Sequence, residues 1–429
     1  MKVKITDLYF LILSILLLTF LRKYSIVIYP ILIVSSFYFL RLTFNSNLLI
    51  LLILIFLTQI INGFFYDFYP LNHLISITLI FSTIAILGST STYNKKSLIH
   101  SFFQISSYVL LVVDFSAGIS LIISVFQNPV SISDAFVGIY GKSGLIMHTL
   151  FIVNIVHAMY HFQISKNRIF GFIFFISSIL CFFGAGIIIF VIALVLSFLP
   201  KKRVVKPIIA GTILISLLWM TIRITNQELL NYMSQNLERS ISGLKDFNYQ
   251  DELLLAKNDG FTTTPRKITF HYGAFKRLFE SPAILLFGTG PGTYNSRTSF
   301  LLNGDYSKID FLKNNIKIEP KFAKNEVFPL WDSGILFRFN DGTRNEPFSS
   351  IIALIIEYGF LFFCLTLILF LSKVRVIFRS NNRYFYRFLI IFFILLLFQD
   401  NYLEYPEVGL LFVIVIKLAE IESRAPEYS

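Results

Sequence analysis

Three glycines at alternate positions are the first candidates for a functional site. They stand in the segment Leu286-Phe287-Gly288-Thr289-Gly290-Pro291-Gly292-Thr293-Tyr294, directly after an apolar stretch. Because glycine has no side chain, backbone N–H groups in such a loop can approach an anion closely. Pro291 argues against a nucleotide-binding turn of the Rossmann kind. Two interpretations stay open, an anion-binding loop and a tight turn.

A second group of candidates consists of arginines in the same part of the chain. Guanidinium groups are permanently charged and planar, which suits bidentate binding of phosphate oxygens. Any one of them could instead be a solvated surface charge. Together they favour an anionic ligand such as a diphosphate. The five are Arg266, Arg277, Arg297, Arg338 and Arg344.

Ionisable residues inside apolar runs form a third group, since they are costly in hydrocarbon and often mark a polar cavity. Asp114 and Glu357 lie in such runs, and structural pairing is the alternative for each. His157 and His161 are spaced for one face of a helix, but no Cys or carboxylate stands nearby. We therefore predict an interfacial role for this pair rather than a metal site.

Several common catalytic motifs are absent from the sequence. It has no Gly-x-Ser-x-Gly, no His-Glu-x-x-His and no phosphate-binding loop motif. Their absence leaves hydrolase, zinc-protease and ATP-driven transporter functions without support. The two cysteines, Cys181 and Cys364, lie in apolar runs where neither a disulfide nor a thiolate metal site is expected. We predict no metal and no cofactor.

These candidate residues are predicted to be held in place by membrane helices. Of the 429 residues, 55% are hydrophobic, 17% aromatic and only 14% charged, whereas soluble domains carry about 25% charged residues. Apolar runs long enough to cross a bilayer recur along the chain. The net charge of +12 follows from loop lysines and arginines, so it does not indicate nucleic acid. The sequence predicts an all-α polytopic membrane protein whose surroundings are the lipid bilayer.

Twelve spans are predicted. They are residues 5–21, 25–40, 48–64, 71–89, 100–126, 144–164, 169–183, 185–199, 207–223, 349–371, 384–398 and 406–419. Residues 169–199 could form one long helix or two short ones hinged at Gly184-Ala185-Gly186. Two helices are favoured, because only they keep the lysines and arginine of 201–206 cytoplasmic.

The charge distribution predicts the orientation and three regions. With both termini cytoplasmic, the short outer loops hold only Arg22, Lys23 and Lys142, as the positive-inside rule requires. Residues 1–224 then carry spans one to nine, and 348–429 carry the last three with a cytoplasmic tail. Between them, residues 225–347 form a large outer loop, which we call the cap.

The cap is expected to fold, because it contains helical patterns. Leu230, Met233, Leu237, Ile241 and Leu244 recur at a helical interval. A second helix is predicted at 268–279, with Ile268, Tyr272, Phe275 and Phe279 on one face. That face would pack on the membrane surface or on the first helix.

These features resemble the O-antigen polymerase and ligase family of bacterial envelope glycosyltransferases. The layout of many spans with one long outer loop is similar, and residues 266–294 resemble the family's arginine, aromatic helix, proline and alternate-glycine series. Arg344-Asn345-Glu346-Pro347-Phe348 running into Glu357-Tyr358-Gly359 resembles the family's His-Asn followed by Glu-x-Gly. Coverage is nearly the whole chain by layout but only about forty residues by motif.

Two departures from the family pattern matter. Gly184-Ala185-Gly186 stands where members often carry an arginine. Arg344 stands where the family has a histidine, which the resemblance implies is the acceptor-activating group of its ligases. The second departure favours a polymerase over a ligase.

The resemblance implies a GT-C-like fold in the bacterial inner membrane with the cap in the periplasm. It implies metal-independent, inverting transfer of a glycan from undecaprenyl diphosphate to a new lipid-linked repeat. The partners are then undecaprenyl-diphosphate-linked oligosaccharides and the bilayer, and a chain-length regulator stays an open candidate. The alternatives are an O-antigen ligase and a non-enzymatic lipid-linked oligosaccharide flippase.

Site residues follow from the same resemblance. The base candidates are His271, Asp332, Glu346 and Glu357. The candidates for substrate binding are Arg266, Arg297, Arg338, Arg344, Gly288, Gly290, Gly292 and Tyr294.

Overall fold

The computed structural model is helical through almost all of the chain that it describes. The described residues are 5–21, 25–65, 68–93, 97–127, 135–141, 144–198, 245, 247–259, 262–264, 266–301, 320–330, 348–378 and 383–424. Among them the strands are two residues long, β1 (Leu42–Thr43) and β2 (Thr90–Ser91), and pair antiparallel. The described fold is therefore all-α.

The helices are numbered in chain order. They are α1 Ile5–Leu18, α2 Ser25–Phe39, α3 Ser46–Phe65, α4 Pro70–Gly88, α5 Leu98–Gln127, α6 Gly144–Tyr160, α7 Arg168–Leu180, α8 Gly184–Phe198, α9 Tyr249–Asp259, α10 Arg266–Phe279, α11 Pro282–Phe287, α12 Arg297–Leu301, α13 Ser350–Ile377, α14 Arg383–Gln399 and α15 Leu411–Arg424. Short π-helical turns extend two of them, His161–Ser165 after α6 and Pro406–Leu410 before α15.

Each predicted span within the described residues coincides with a helix, and their ends differ by a few residues. Four of these helices are long and apolar enough to cross a membrane by length and composition: Ser46–Phe64, Pro70–Gly88, Leu98–Gln127 and Ser350–Ile377. The predicted span 207–223 and the predicted helix 230–244 lie outside the described residues.

Residues 169–199 form two helices rather than one, as the charge argument predicted. The break lies at residues 181–183, before the glycines that were expected to form the hinge. Phe182 has the left-handed φ of 51°, and α8 starts at Gly184. Gly186 is needed for packing, since a Cβ there would lie 2.1 Å from the Phe183 ring.

The interior contains one large apolar cluster. Helices α6 and α15 contribute buried residues to it from all of their sides. Ile152, Val156, Val413 and Ile416 are among its buried residues. A separate cluster joins the cap to the start of α13 and includes Phe270, Leu278, Ile284, Val327 and Ile356. The described part of the cap is therefore packed onto one end of the helical bundle.

Helix α10 is observed where the pattern predicted it, and the predicted stripe faces away from the protein core. Ile268, Tyr272, Phe275 and Phe279 are 39 to 72% exposed. The buried face includes Gly273, where a Cβ would lie 2.5 Å from the Tyr249 hydroxyl. Small residues on this face let α9 approach closely, so the apolar stripe is turned away from the described core.

Candidate functional site

The glycine-rich loop begins where α11 ends, and it docks into a break in α13. Gly359 interrupts that helix with φ 81° and ψ 166°. The backbone N–H of Thr289 donates to the Ile356 carbonyl at 2.8 Å, and that of Gly290 donates to the Glu357 carbonyl at 3.0 Å. The loop thus satisfies carbonyl groups that the broken helix would otherwise leave unpaired.

Glu357 holds the second half of this loop with its carboxylate. Its Oε2 accepts the Gly292 N–H at 2.7 Å, and its Oε1 accepts the N–H groups of Tyr294 at 2.9 Å and Ser296 at 2.8 Å. The side chain is fully buried. A carboxylate accepting several backbone N–H groups is strongly bound, so these contacts make Glu357 an anchor for the loop.

This geometry bears on both interpretations of the glycine loop. The N–H groups of Gly290, Gly292 and Tyr294 point to acceptors within the protein. The tight turn is therefore what the contacts describe. Substrate binding by Gly288, Gly290, Gly292 and Tyr294 stays a prediction, as does a catalytic role for Glu357.

Tyr294 ties the loop to the rest of the cap. Its buried phenol donates to Glu326 Oε2 at 3.1 Å, and Glu326 also forms an ion pair with Arg277 of α10. The Arg277 guanidinium lies 4.6 Å from the centroid of the Phe322 ring. Burial and the Glu326 charge raise the pKa of Tyr294 well above its ordinary value, so the phenol stays a hydrogen-bond donor.

The cap residues predicted to bind substrate or to act as a base lie in different places. Arg266 is buried at the start of α10, where its Nη1 donates to the Leu330 carbonyl at 3.0 Å. The neighbouring Lys267 donates to the Gln399 carbonyl at the end of α14. Burial, helped by Lys267, lowers the pKa of His271 to about 4. His271 is therefore neutral near pH 7.

Arg297 lies elsewhere, at the start of α12. Its guanidinium carbon is 4.2 Å from the centroid of the Tyr405 ring, a cation–π arrangement. The half-buried side chain stands beside the buried carboxyl of Glu404. Burial raises the pKa of Glu404 well above its ordinary value, and the negative charge of Glu357 raises it further. The positive charge of Arg297 opposes this shift.

The four other predicted site residues, Asp332, Arg338, Arg344 and Glu346, fall outside the described residues. Their roles stay predictions.

A layer of buried polar side chains surrounds the glycine loop. We call Asn62, His73, Asn295, Asn401 and Glu404 the polar layer. Asn62 and His73 belong to α3 and α4, and a Cβ on Gly290 would lie 3.2 Å from His73 Nε2 and 3.3 Å from Asn62 Nδ2. Asn401 Nδ2 donates to the Asn295 carbonyl at 2.8 Å. Loop and helices thus meet through polar groups.

Several atoms of the polar layer have no hydrogen-bond partner among the described residues. They are both amide atoms of Asn62, both of Asn295, Asn401 Oδ1 and His73 Nε2. Buried polar groups are nearly always paired, and an unpaired one costs about 1–3 kcal/mol. Such a cluster is typical of a site that binds a polar ligand.

His73 has a defined tautomer in this arrangement. Its Nδ1 lies 2.7 Å from the Tyr69 carbonyl, which can only accept. Nδ1 therefore carries the proton, and in the neutral ring Nε2 presents a lone pair. A buried, oriented imidazole lone pair is suited to accept a proton from a hydroxyl group.

The polar layer was not predicted, although the sequence contains a signal for part of it. His73 is an ionisable residue within the predicted span 71–89, so it met the criterion that singled out Asp114 and Glu357. Glu404 stands in the short turn between the last two predicted spans. Asn62, Asn295 and Asn401 carried no signal, because lone amides are common in loops and at helix ends.

The remaining candidates in the predicted spans have structural partners. Asp114 Oδ1 accepts from Asn154 Nδ2 at 3.0 Å. His157 is fully buried, not interfacial, with Nε2 2.9 Å from Ser106 Oγ. His161 Nε2 lies 2.8 Å from Ser107 Oγ. The histidine pair packs α6 against α5.

Comparison with known proteins does not assign the chain. No family model matches the sequence, and no curated protein matches it.

Proposed function

We propose that this protein polymerises undecaprenyl-diphosphate-linked oligosaccharide repeats by inverting glycosyl transfer at the periplasmic face of the bacterial inner membrane. The observation that supports it best is the polar layer beneath the cap, with Arg297 at its edge. Glycosyl transfer from a diphosphate needs a cation for the leaving group and a base for the acceptor hydroxyl. Arg297 and His73 have the chemistry of these two groups.

In the proposed reaction, the acceptor hydroxyl oxygen attacks the anomeric carbon of the donor glycan. The bond from that carbon to the diphosphate oxygen breaks, and undecaprenyl diphosphate leaves with the bonding electrons. The hydroxyl proton passes to His73 Nε2. Guanidinium groups such as Arg297 stabilise the charge that gathers on the leaving group in the transition state.

The assignment of His73 can be tested with His73→Gln in membranes supplied with lipid-linked repeats extracted from the host. Removing a general base typically costs about 10²- to 10⁴-fold in rate, so long glycan ladders should disappear. His100→Gln is the control, since His100 is an exposed histidine that pairs with Tyr160. Normal ladders from His73→Gln, at wild-type expression, would remove His73 from the mechanism.

The same experiment separates the alternative functions. Loss of a ligase would leave finished polymer stranded on its carrier with no capped lipid A. Loss of a flippase would leave single repeats at the inner face. Loss of a polymerase leaves single repeats transferred to the final glycolipid, and this is the expected result.

The proposal requires twelve spans with the cap in the periplasm. Cysteine labelling tests this at exposed positions on the two sides, Gln250→Cys in the cap and Arg375→Cys at the opposite end of α13. A membrane-impermeant maleimide applied to intact inner membrane from the outer side should label only the first. Labelling only of the second would reverse the orientation and exclude periplasmic chemistry by this cap.

A further inference from the structure

At the end of the bundle opposite the cap, two buried lysines converge on one carboxylate. Lys373 of α13 and Lys417 of α15 lie 2.8 and 2.7 Å from the two oxygens of Glu420. Both amines also donate to the Ser89 carbonyl, which follows α4, at 3.3 and 2.6 Å. The lysine side chains are only 7% and 0% exposed. Three helices are thus joined by one ionic cluster.

A third cation completes the cluster and leaves its formal charge unbalanced. Arg424 Nη2 lies 2.5 Å from Glu420 Oε1, and its side chain is 48% exposed. Among the described residues, three cations share this one carboxylate, a formal excess of two positive charges. The Glu422 carboxylate is directed elsewhere, since it accepts the Ile99 N–H at the start of α5. Buried cations that exceed their counter-charges favour an added anion.

A cleft gives an anion access to this cluster. It has a volume of about 200 Å³ and is lined by Ser91, Thr92, Tyr93, Glu420, Ile421 and Arg424. Its volume is several times the ~30 Å³ that a water molecule occupies in the liquid. Arg41 extends the basic rim, with its guanidinium carbon 5.8 Å from the centroid of the Tyr93 ring.

We propose that this cleft binds a phosphate group, with Arg424 at its mouth and Lys373 and Lys417 supplying positive potential from behind. Guanidinium groups suit phosphate oxygens, and Thr92 and Tyr93, which carry hydroxyl groups, also line the cleft. The cleft opens at the ends of apolar helices, and basic pockets in that position bind anionic lipid head groups. The occupant is therefore the phosphate of an anionic phospholipid. This assignment does not depend on the proposed glycosyl transfer.

The test uses the purified full-length protein in neutral detergent, with phosphatidylglycerol, phosphatidylcholine and inorganic phosphate as separate probes. Native mass spectrometry counts the retained lipid, and thermal melting measures stabilisation. Arg424→Gln removes the cation at the mouth. Arg375→Gln is the matched control, because Arg375 is an exposed arginine in the last turn of α13, at the same end of the bundle. Both variants change a solvent-exposed arginine, so both should fold.

Phosphatidylglycerol should be retained in preference to phosphatidylcholine. Arg424→Gln should lower that retention roughly tenfold, the size of effect expected when a hydrogen bond to a charged group is lost. Arg375→Gln should retain it. If inorganic phosphate stabilised the wild type but not Arg424→Gln, and neither lipid were preferred, the phosphate group would come from a soluble source. Equal losses in both variants, or no response to any probe, would overturn the proposal.

Discussion

Gly288 lies against Gly359 so closely that neither position has room for a side chain. A Cβ on Gly288 would lie 2.6 Å from the Gly359 nitrogen, and one on Gly359 would lie 2.3 Å from the Leu286 carbonyl oxygen. Both residues have a positive φ, 75° and 81°. The break in α13 and the glycine loop therefore require each other.

We predict that Gly288→Ala strongly destabilises the protein. The left-handed φ alone costs about 1–3 kcal/mol, and the clash with the backbone of residues 357–359 adds to it. Thermal melting of the purified protein should show a clear fall in the unfolding temperature. Gly63→Ala in α3 is the control, because a Cβ there meets nothing within 4 Å. Equal melting of the two variants would show that the loop and the helix break are not packed as described.

We predict that Glu357→Gln acts mainly by loosening the glycine loop and not by removing a catalytic group. An amide supplies one acceptor oxygen instead of two and turns an NH₂ group toward a backbone N–H donor. Leaving buried N–H groups unpaired costs about 1–3 kcal/mol, so hydrogen exchange at residues 292–296 should accelerate. Tyr358→Phe is a suitable control for the neighbouring position, since it removes only the bond to Ser76.

A different result would support the predicted catalytic role of Glu357. If Glu357→Gln abolished polymerisation while exchange at 292–296 stayed at the wild-type rate, the carboxylate would be acting as a base and not as an anchor.

The sequence indicated the positions of the helices well, because apolar runs report burial in lipid or protein directly. It also singled out both Glu357 and the alternate glycines. Their relationship was not predictable, since the pairing of Glu357 with Gly292 joins residues on separate elements of the fold. The buried face of α10 was not predictable either, because close contact of Gly273 with Tyr249 decided it.

His271 makes stability depend on pH. Its pKa is lowered from 6.5 to about 4 by burial, so the unfolded chain binds a proton more readily than the folded one. Its neutral form contributes stability above pH 6.5, and that contribution falls as the pH drops toward 4. The pH dependence of the melting temperature in this window should be weaker in His271→Gln than in the wild type. The same dependence in both proteins would show that His271 is as accessible to protons in the folded state as in the unfolded one.

The last prediction concerns Arg297, which we expect to act on the leaving diphosphate. Arg297→Ala should slow polymerisation by about 10²- to 10³-fold, the usual cost of removing one donor that stabilises a developing charge. Arg297→Lys keeps the charge but loses the planar group that lies over Tyr405, so it should rescue poorly. Arg375→Ala, at the opposite end of α13, should leave the rate unchanged. The measurement is the initial rate of ladder formation from lipid-linked repeats, with melting temperatures recorded for each variant. Full activity in Arg297→Lys would show that charge alone is needed, whereas full activity in Arg297→Ala would remove this arginine from the reaction.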